Sequence, residues 1–279
     1  MPINDYIFAL GLQVYGSNYV IGTGFRAHYS DAIWTNAHVI RGINDFINSP
    51  TTTNWRVFAT KSGTRIGGSD TYFPTTYFEH PNYDGTALSP DVAVIVVEST
   101  ELVPRLLPRE HATNLRVGQP IATLGFPDEI ADIFSIVPIA TFKDGTISAL
   151  RPFQIGINPT PFNTSFVQHN LDLSGGTSGS PIFDHSGWII AVNNSGTEKL
   201  VFDVNTGRPE RVPTGNIGFG VRVDEVWRLV DHLESLASTA RINTNGEPPR
   251  ARALLSDTEY PYENYQPFPT NWNNVTVEP

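Results

Sequence analysis

Ser178, His38 and Asp91 have the residue types and settings that acyl-transfer chemistry requires. Ser178 stands in Gly176-Thr177-Ser178-Gly179-Ser180-Pro181. A serine hydroxyl is a weak nucleophile at neutral pH and needs a base beside it. It also needs donors for the oxyanion that its attack creates, and losing one such donor costs about 10²–10³ in rate. Glycines around the serine leave the backbone amides of Gly176 and Ser178 free to point at one oxygen atom. A Gly-Ser run by itself is more often an ordinary turn, so the base has to be found elsewhere.

Of seven histidines, His38 has the most suggestive setting. It follows the apolar stretch Ile33-Trp34-Thr35 within Thr35-Asn36-Ala37-His38-Val39-Ile40, where a strand end would project a fixed imidazole into a cleft. His28, His111, His185 and His232 have polar or loop-like surroundings that suit ordinary surface or core roles. An imidazole acting as base needs an acid to hold its tautomer. Asp91 follows Ser89-Pro90 and opens the apolar run Val92–Val97, where a carboxylate is costly unless hydrogen-bonded. Asp84 lies in Asn82-Tyr83-Asp84-Gly85, which reads as a solvated turn.

The elements that must position these groups read as many short strands. Twenty-three Gly and 22 Pro in 279 residues predict frequent turns. Residues 6–25 form a hairpin around Gly16-Ser17-Asn18, and 32–35 form a third strand. Residues 43–53 read as loop, and 55–60 with 65–66 as a strand pair around Ser62-Gly63. Val92–Val97 reads as a strand buried on both faces. Residues 101–116 are polar, proline-punctuated and mark the boundary between two halves. The second half offers strands at 121–126, 134–142, 145–150, 182–183, 188–192 and 217–223. Asp224 then caps one amphipathic helix, with Val226, Trp227, Leu229, Val230, Leu233 and Leu236 on a stripe.

Composition narrows the function. A net charge of −10, with lysine only at 61, 143 and 199, excludes a nucleic-acid partner that would require a basic face. With no cysteine, disulfides, thiolate catalysis and sulfur-based zinc sites are excluded. No metal or organic cofactor is implied, since a serine nucleophile needs none. The longest apolar runs are too short to span a bilayer, so no membrane partner is expected. The first twenty residues have no basic region and no small-residue cleavage site, so they do not read as a signal peptide. If Met1 is the native start, the cytoplasm is the expected location; a trimmed chain leaves the periplasm or secretion open.

With those residues in place, the chain resembles the chymotrypsin-like serine proteases. Thr35-Asn36-Ala37-His38-Val39, then His80-Pro81-Asn82-Tyr83 leading to Asp91-Val92-Ala93-Val94, then Gly176–Pro181, are similar to that family's three motifs in its order of His, Asp, Ser. The similarity runs from about Tyr6 to Leu236 and lies nearest the cysteine-poor bacterial members. Asp172-Leu173-Ser174 and the Gly-Ser-Pro ending are similar to glutamyl endopeptidases; Gly118-Gln119-Pro120 and Ile217–Val221 are similar to HtrA proteases. The resemblance implies an all-β fold of two six-stranded antiparallel barrels, about 1–105 and 117–223, with the active site in the cleft between them. A C-terminal helix of about 224–238 completes a protease domain of 1–243. It implies a serine endopeptidase acting on protein or peptide substrates, with His38, Asp91 and Ser178 as triad and the Gly176 and Ser178 amides as oxyanion hole.

The resemblance also implies an S1 pocket of Asp172, Asn193, Ser195 and Gly218. Asp172 would favour Arg or Lys, unless the alignment slips by two residues and makes it a loop residue only. Thr177 stands where trypsins carry the aspartate that binds a new N-terminus, so that activation switch is not expected. No segment resembling a PDZ domain follows, so an HtrA-type assembly is not expected either. The alternative to an active peptidase is a protease-fold binding or regulatory module that rarely cleaves. An esterase is a third reading. Residues 244–279 are rich in Pro, Asn and Tyr, and carry Tyr260, Tyr262, Tyr265, Phe268 and Trp272, an apolar load that suits docking onto the body or a partner.

Overall fold

A computed structural model describes residues 3–27, 32–48, 54–74, 76–86, 88–97, 112, 114–127, 136–153, 158, 160, 163–171, 174–202 and 209–243. The 244–279 segment and Asp172 lie outside them, as do His28, His111 and most of the expected 101–116 boundary. The fold is a chymotrypsin-like pair of β-lobes with one C-terminal helix.

The first lobe is built from β1 (Ile7–Val14), β2 (Ser17–Arg26), β3 (Ala32–Thr35), β4 (Trp55–Lys61), β5 (Thr71–Tyr72), β6 (Thr76–Glu79) and β7 (Ala93–Val96). Their order is β5-β4-β1-β2-β3-β7-β6, a seven-stranded antiparallel sheet among the described residues, where six strands were expected. Successive side chains of a strand face opposite ways, and both faces of β1 are buried. Ile7 and Ala9 enter a core shared with the second lobe, while Phe8, Leu10 and Leu12 fill the first lobe. β7 repeats this, with Val94 on the shared side and Ala93 and Ile95 on the other. That double burial accounts for the uninterrupted apolar runs in the sequence.

The second lobe comprises β8 (Pro120–Gly125), β9 (Thr141–Arg151), β10 (Phe166–His169), β11 (Pro181–Asp184), β12 (Ile189–Phe202) and β13 (Pro209–Arg222). It is a closed barrel, ordered β10-β13-β12-β11-β8-β9. The helix α2 (Val223–Asn243) follows directly. It buries Val226, Leu229, Val230 and Leu233 at the spacing of one helical face, all within the core shared by both lobes.

Four local expectations change. Residues 43–53 were read as loop, but Ala37–Ile47 is a helix, α1, whose Val39, Ile40 and Ile43 pack into the first lobe. Tertiary burial of this face outweighs the poor helix propensity of its β-branched residues. The partner of β4 is Thr71–Tyr72, because Arg65 and Ile66 lie in the intervening turn. In place of strands at 134–142 and 145–150 there is the single strand β9; residues 136–140 run outside the sheet and tie the lobes together. Their links are Ile66 N–H to the Ile136 carbonyl at 2.8 Å, Gly63 N–H to the Pro138 carbonyl at 2.8 Å, and Ala140 N–H to Ser62 Oγ at 2.9 Å. Finally, α2 starts at Val223, so Asp224 lies in its first turn instead of capping it. Its carboxylate accepts from Arg222 Nε at 2.5 Å and suits the positive end of the helix.

Candidate active site

His38 is the second residue of α1, immediately beyond the end of β3. Asn36 precedes the helix, but its side chain makes no capping bond to α1. Its amide donates instead to the Asp91 backbone carbonyl at 2.7 Å. The Asp91 carboxylate does the capping, with Oδ1 accepting the His38 backbone N–H at 2.9 Å. Its other oxygen, Oδ2, lies 2.5 Å from His38 Nδ1. One carboxylate thus satisfies an orphan donor at the helix start and holds the imidazole. Asp91 is 3% exposed, whereas the His38 side chain is 40% exposed and open to solvent.

Neighbouring contacts fix α1 at its first turn. Arg41 donates twice to Glu79 of β6, from Nε at 3.0 Å and from Nη2 at 2.7 Å, and lies 4.3 Å over the Tyr83 ring. Burial, reinforced by the nearby Asp91 charge, pushes the Tyr83 phenol up to about 12. Asp84 faces solvent and accepts from Thr86 N–H at 2.8 Å, holding its own turn.

Ser178 arrives from the second lobe, on the turn before β11. Two glycine positions bring its loop against the segments that flank His38. A Cβ on Gly22 of β2 would lie 2.7 Å from Val39 Cγ1 and 3.3 Å from the Ser178 carbonyl oxygen, so the residue after His38 and the Ser178 loop meet over one bare backbone position. Gly179, at φ +86°, leaves no room for a Cβ, which would stand 2.2 Å from the Thr23 carbonyl and 2.3 Å from Thr35 Oγ1. The loop is therefore wedged between β2 and the end of β3, three residues before His38. Among the described residues, neither the Gly176 nor the Ser178 N–H meets an acceptor, which leaves both available to a ligand. The Ser178 hydroxyl donates to the Asn194 carbonyl at 3.0 Å.

Of the pocket residues, Asn193 is buried, and its amide donates to the Thr177 carbonyl at 2.9 Å. Gly218 pairs with His169 across β13 and β10. The Ser195 backbone pairs with Phe219 after a bulge in β12, and Asp172 is outside the described residues. Sequence reading gave no role to Gly22 or Thr23, took Thr35 and Asn36 only as flanks of the His38 motif, and placed Asn194 only in the S1 wall. The local signal for the first two is Gly22-Thr23-Gly24, a polar residue between two glycines inside a strand.

A carboxylate-held imidazole on one β-lobe facing a serine loop on a second defines the architecture of a double-barrel hydrolase. The comparisons agree, for residues 22–192, more than half of the chain, match the trypsin-like peptidase domain, and the protein belongs to that family. It is 26% identical over 221 residues to Protease Do-like 1, chloroplastic, of Arabidopsis thaliana, covering 79% of this chain and 40% of the relative. It is 24% identical over 221 residues to a probable periplasmic serine endoprotease, DegP-like, of Halomonas elongata, covering 79% and 36%. The chain thus spans well under half the length of these relatives. Two solved structures of the HtrA-type protease AlgW with tripeptide share the fold, with TM-scores of 0.53 and 0.51 at 16% and 18% identity. Each covers 82% of this chain and 60% of the other. No helix among the described residues is long and apolar enough to cross a membrane.

Proposed function

We propose that this protein is a serine endopeptidase working through Ser178, His38 and Asp91. Ser178 Oγ attacks the scissile carbonyl carbon as its proton passes to His38 Nε2. The oxyanion is received by the Gly176 and Ser178 N–H groups. As the tetrahedral intermediate collapses, the imidazolium protonates the departing amine and leaves an acyl-enzyme, which water hydrolyses by the same steps. Asp91 holds the Nδ1–H tautomer and stabilises the imidazolium. The observation that carries this reading is the double grip of Asp91 on His38, at 2.9 Å on the backbone and 2.5 Å on the ring of a side chain that stays 40% exposed.

One feature favours the second reading, a protease-fold module that rarely cleaves. The Ser178 proton is committed to the Asn194 carbonyl, so the hydroxyl must rotate towards His38 before it can react. The S1 wall on the active reading is Asn193, Ser195 and Gly218, with Asp172 as the charge that selects a basic P1 residue.

Treatment with a fluorophosphonate probe, followed by cleavage profiling of a peptide library, tests both. Labelling at Ser178 with peptide turnover that Ser178→Ala abolishes is the expected result. Turnover that survives Ser178→Ala would remove the assignment, and a protein that neither labels nor cleaves is the binding module. Cleavage of esters but not peptides would mark an esterase.

A further inference from the structure

Three consecutive carbonyls run through the nucleophile loop, and each is held. The Thr177 oxygen accepts from Asn193 Nδ2 at 2.9 Å, Ser180 N–H at 3.1 Å and Ser180 Oγ at 2.7 Å. The Gly176 oxygen accepts from Thr23 Oγ1 at 2.8 Å. The Ser178 oxygen accepts from Thr23 N–H at 2.8 Å. Two of these three carbonyls are therefore held by one residue, Thr23, which belongs to the other lobe and lies 153 positions away from Gly176.

The polarity of the Thr23 hydroxyl is fixed. Its oxygen accepts the Phe126 N–H at 3.1 Å, and a backbone N–H can only donate. A carbonyl oxygen can only accept, so the single hydroxyl proton is directed at Gly176. Thr23 is fully buried, and its own carbonyl is held by Thr35 Oγ1 at 2.8 Å.

Gly176 most needs such a hold. At φ +77° it occupies backbone space that glycine enters freely and leaves as freely. The plane of the 176–177 peptide sets the Gly176 ψ angle, and with it the direction of the Gly176 N–H relative to that of Ser178. A trans peptide points its N–H away from its C=O. The held Thr177 carbonyl therefore aims the Ser178 N–H, and the held Gly176 carbonyl fixes the intervening peptide, against which the Gly176 N–H of the preceding peptide is oriented through the Gly176 φ and ψ.

We propose that Thr23 is a positioning residue of the reaction: its hydroxyl locks the Gly176–Thr177 peptide so that the Gly176 and Ser178 amides converge on the developing oxyanion. This rests on the reading of Ser178 as nucleophile. Thr23 touches neither substrate nor reacting atom and acts through the loop.

The test compares wild type with Thr23→Val, Thr23→Ser and Thr60→Val. The last removes a buried bond of the same lobe, Thr60 Oγ1 to Thr71 Oγ1 at 2.9 Å, away from the Ser178 loop. Steady-state kinetics on a peptide substrate, thermal midpoints and inhibition by a peptide aldehyde, whose adduct places an oxyanion at the site, are measured for each. Loss of one oxyanion donor costs about 10²–10³ in rate, so misaiming one is expected to lower kcat by about tenfold or more in Thr23→Val, with KM changed less than about threefold. Aldehyde affinity should fall in parallel, and Thr23→Ser should restore both. If Thr23→Val does not fold, Thr23→Cys carries the test, since a weak S–H donor should give an intermediate loss. A folded Thr23→Val or Thr23→Cys with wild-type kcat overturns the proposal. So does a Thr60→Val variant that loses as much kcat for the same fall in midpoint. Wild type that neither cleaves nor labels at Ser178 overturns the nucleophile reading itself, and Thr23 falls with it.

Discussion

A carboxylate has two oxygens, and Asp91 commits one to a helix and the other to a ring. An asparagine in its place would offer one acceptor and one donor, so it would have to give up either the α1 cap or the bond to His38 Nδ1. Asp91→Asn is therefore expected to lower kcat by roughly 10³–10⁴, through the wrong tautomer, with KM little changed. The remaining oxygen still accepts the His38 N–H, so the cap survives and stability should change by less than about 1 kcal/mol. Kinetics and urea unfolding of the same preparation check both halves, and a kcat within about tenfold of wild type would remove Asp91 from the mechanism. Gly179 yields a second expectation. Any Cβ there meets backbone at 2.2 Å, at a positive φ, so Gly179→Ala should push the nucleophile loop off β2 and abolish labelling at Ser178. At this scale Ser178, His38 and Asp91 were singled out as candidates because their types and flanks suit acyl-transfer chemistry. Thr23 and Asn36 were not, since their partners lie 153 and 55 positions away and only the closed fold brings them near.

Among the elements, the apolar strands were legible and α1 was not. Val92–Val97 declares itself by an unbroken apolar run, which two buried faces require. The sequence of α1, Ala-His-Val-Ile-Arg-Gly-Ile-Asn-Asp-Phe-Ile, combines four β-branched residues with a glycine, and local propensity argues against a helix. What builds it is the burial of Val39, Ile40 and Ile43 against the first-lobe core, a tertiary fact. Ile40→Ala should then cost about 2–5 kcal/mol in urea unfolding. Phe46→Ala, at a side chain 41% exposed, should cost less than about 1 kcal/mol. Equal small losses would mean that α1 is not held by its apolar face. The same packing bears on function, because the first turn of this helix carries His38.

Across the whole molecule the lobes and α2 share one core, and two histidines are buried in that assembly without the charge they would carry in acid. His80, next to β6, is pushed down to about 4, chiefly by burial and then by the nearby Arg228 and His232 charges. Its Nε2 stands 3.6 Å from Glu225, whose carboxylate is occupied by Arg228 at 2.6 Å and Ser165 at 2.9 Å, so at neutral pH this contact is not an ion pair. His169, inside the second lobe, is likewise pushed down to about 4 by burial, against the opposing pull of the Asn193 side chain and Phe219 backbone that face its ring. Neither ring nitrogen of His169 closes a full hydrogen bond. Above the unfolded value of about 6.5 both rings are neutral in either state, and folding costs nothing on their account. Between about 6.5 and 4 the unfolded chain takes up protons that the native protein refuses, so stability falls with falling pH. Each histidine contributes at most about 1.4 kcal/mol per pH unit, and the contribution levels off below about 4. Urea unfolding at a series of pH values from about 7.5 to about 4.5 should show this decline in wild type. His80→Gln and His169→Gln should each flatten it by removing one of the two titrating groups. Parallel pH dependences in wild type and both variants would mean that these rings take up protons in the native protein as readily as in the unfolded chain. The interior at the lobe junction would then be far more accessible to water than the packing around Glu225 and Asn193 implies.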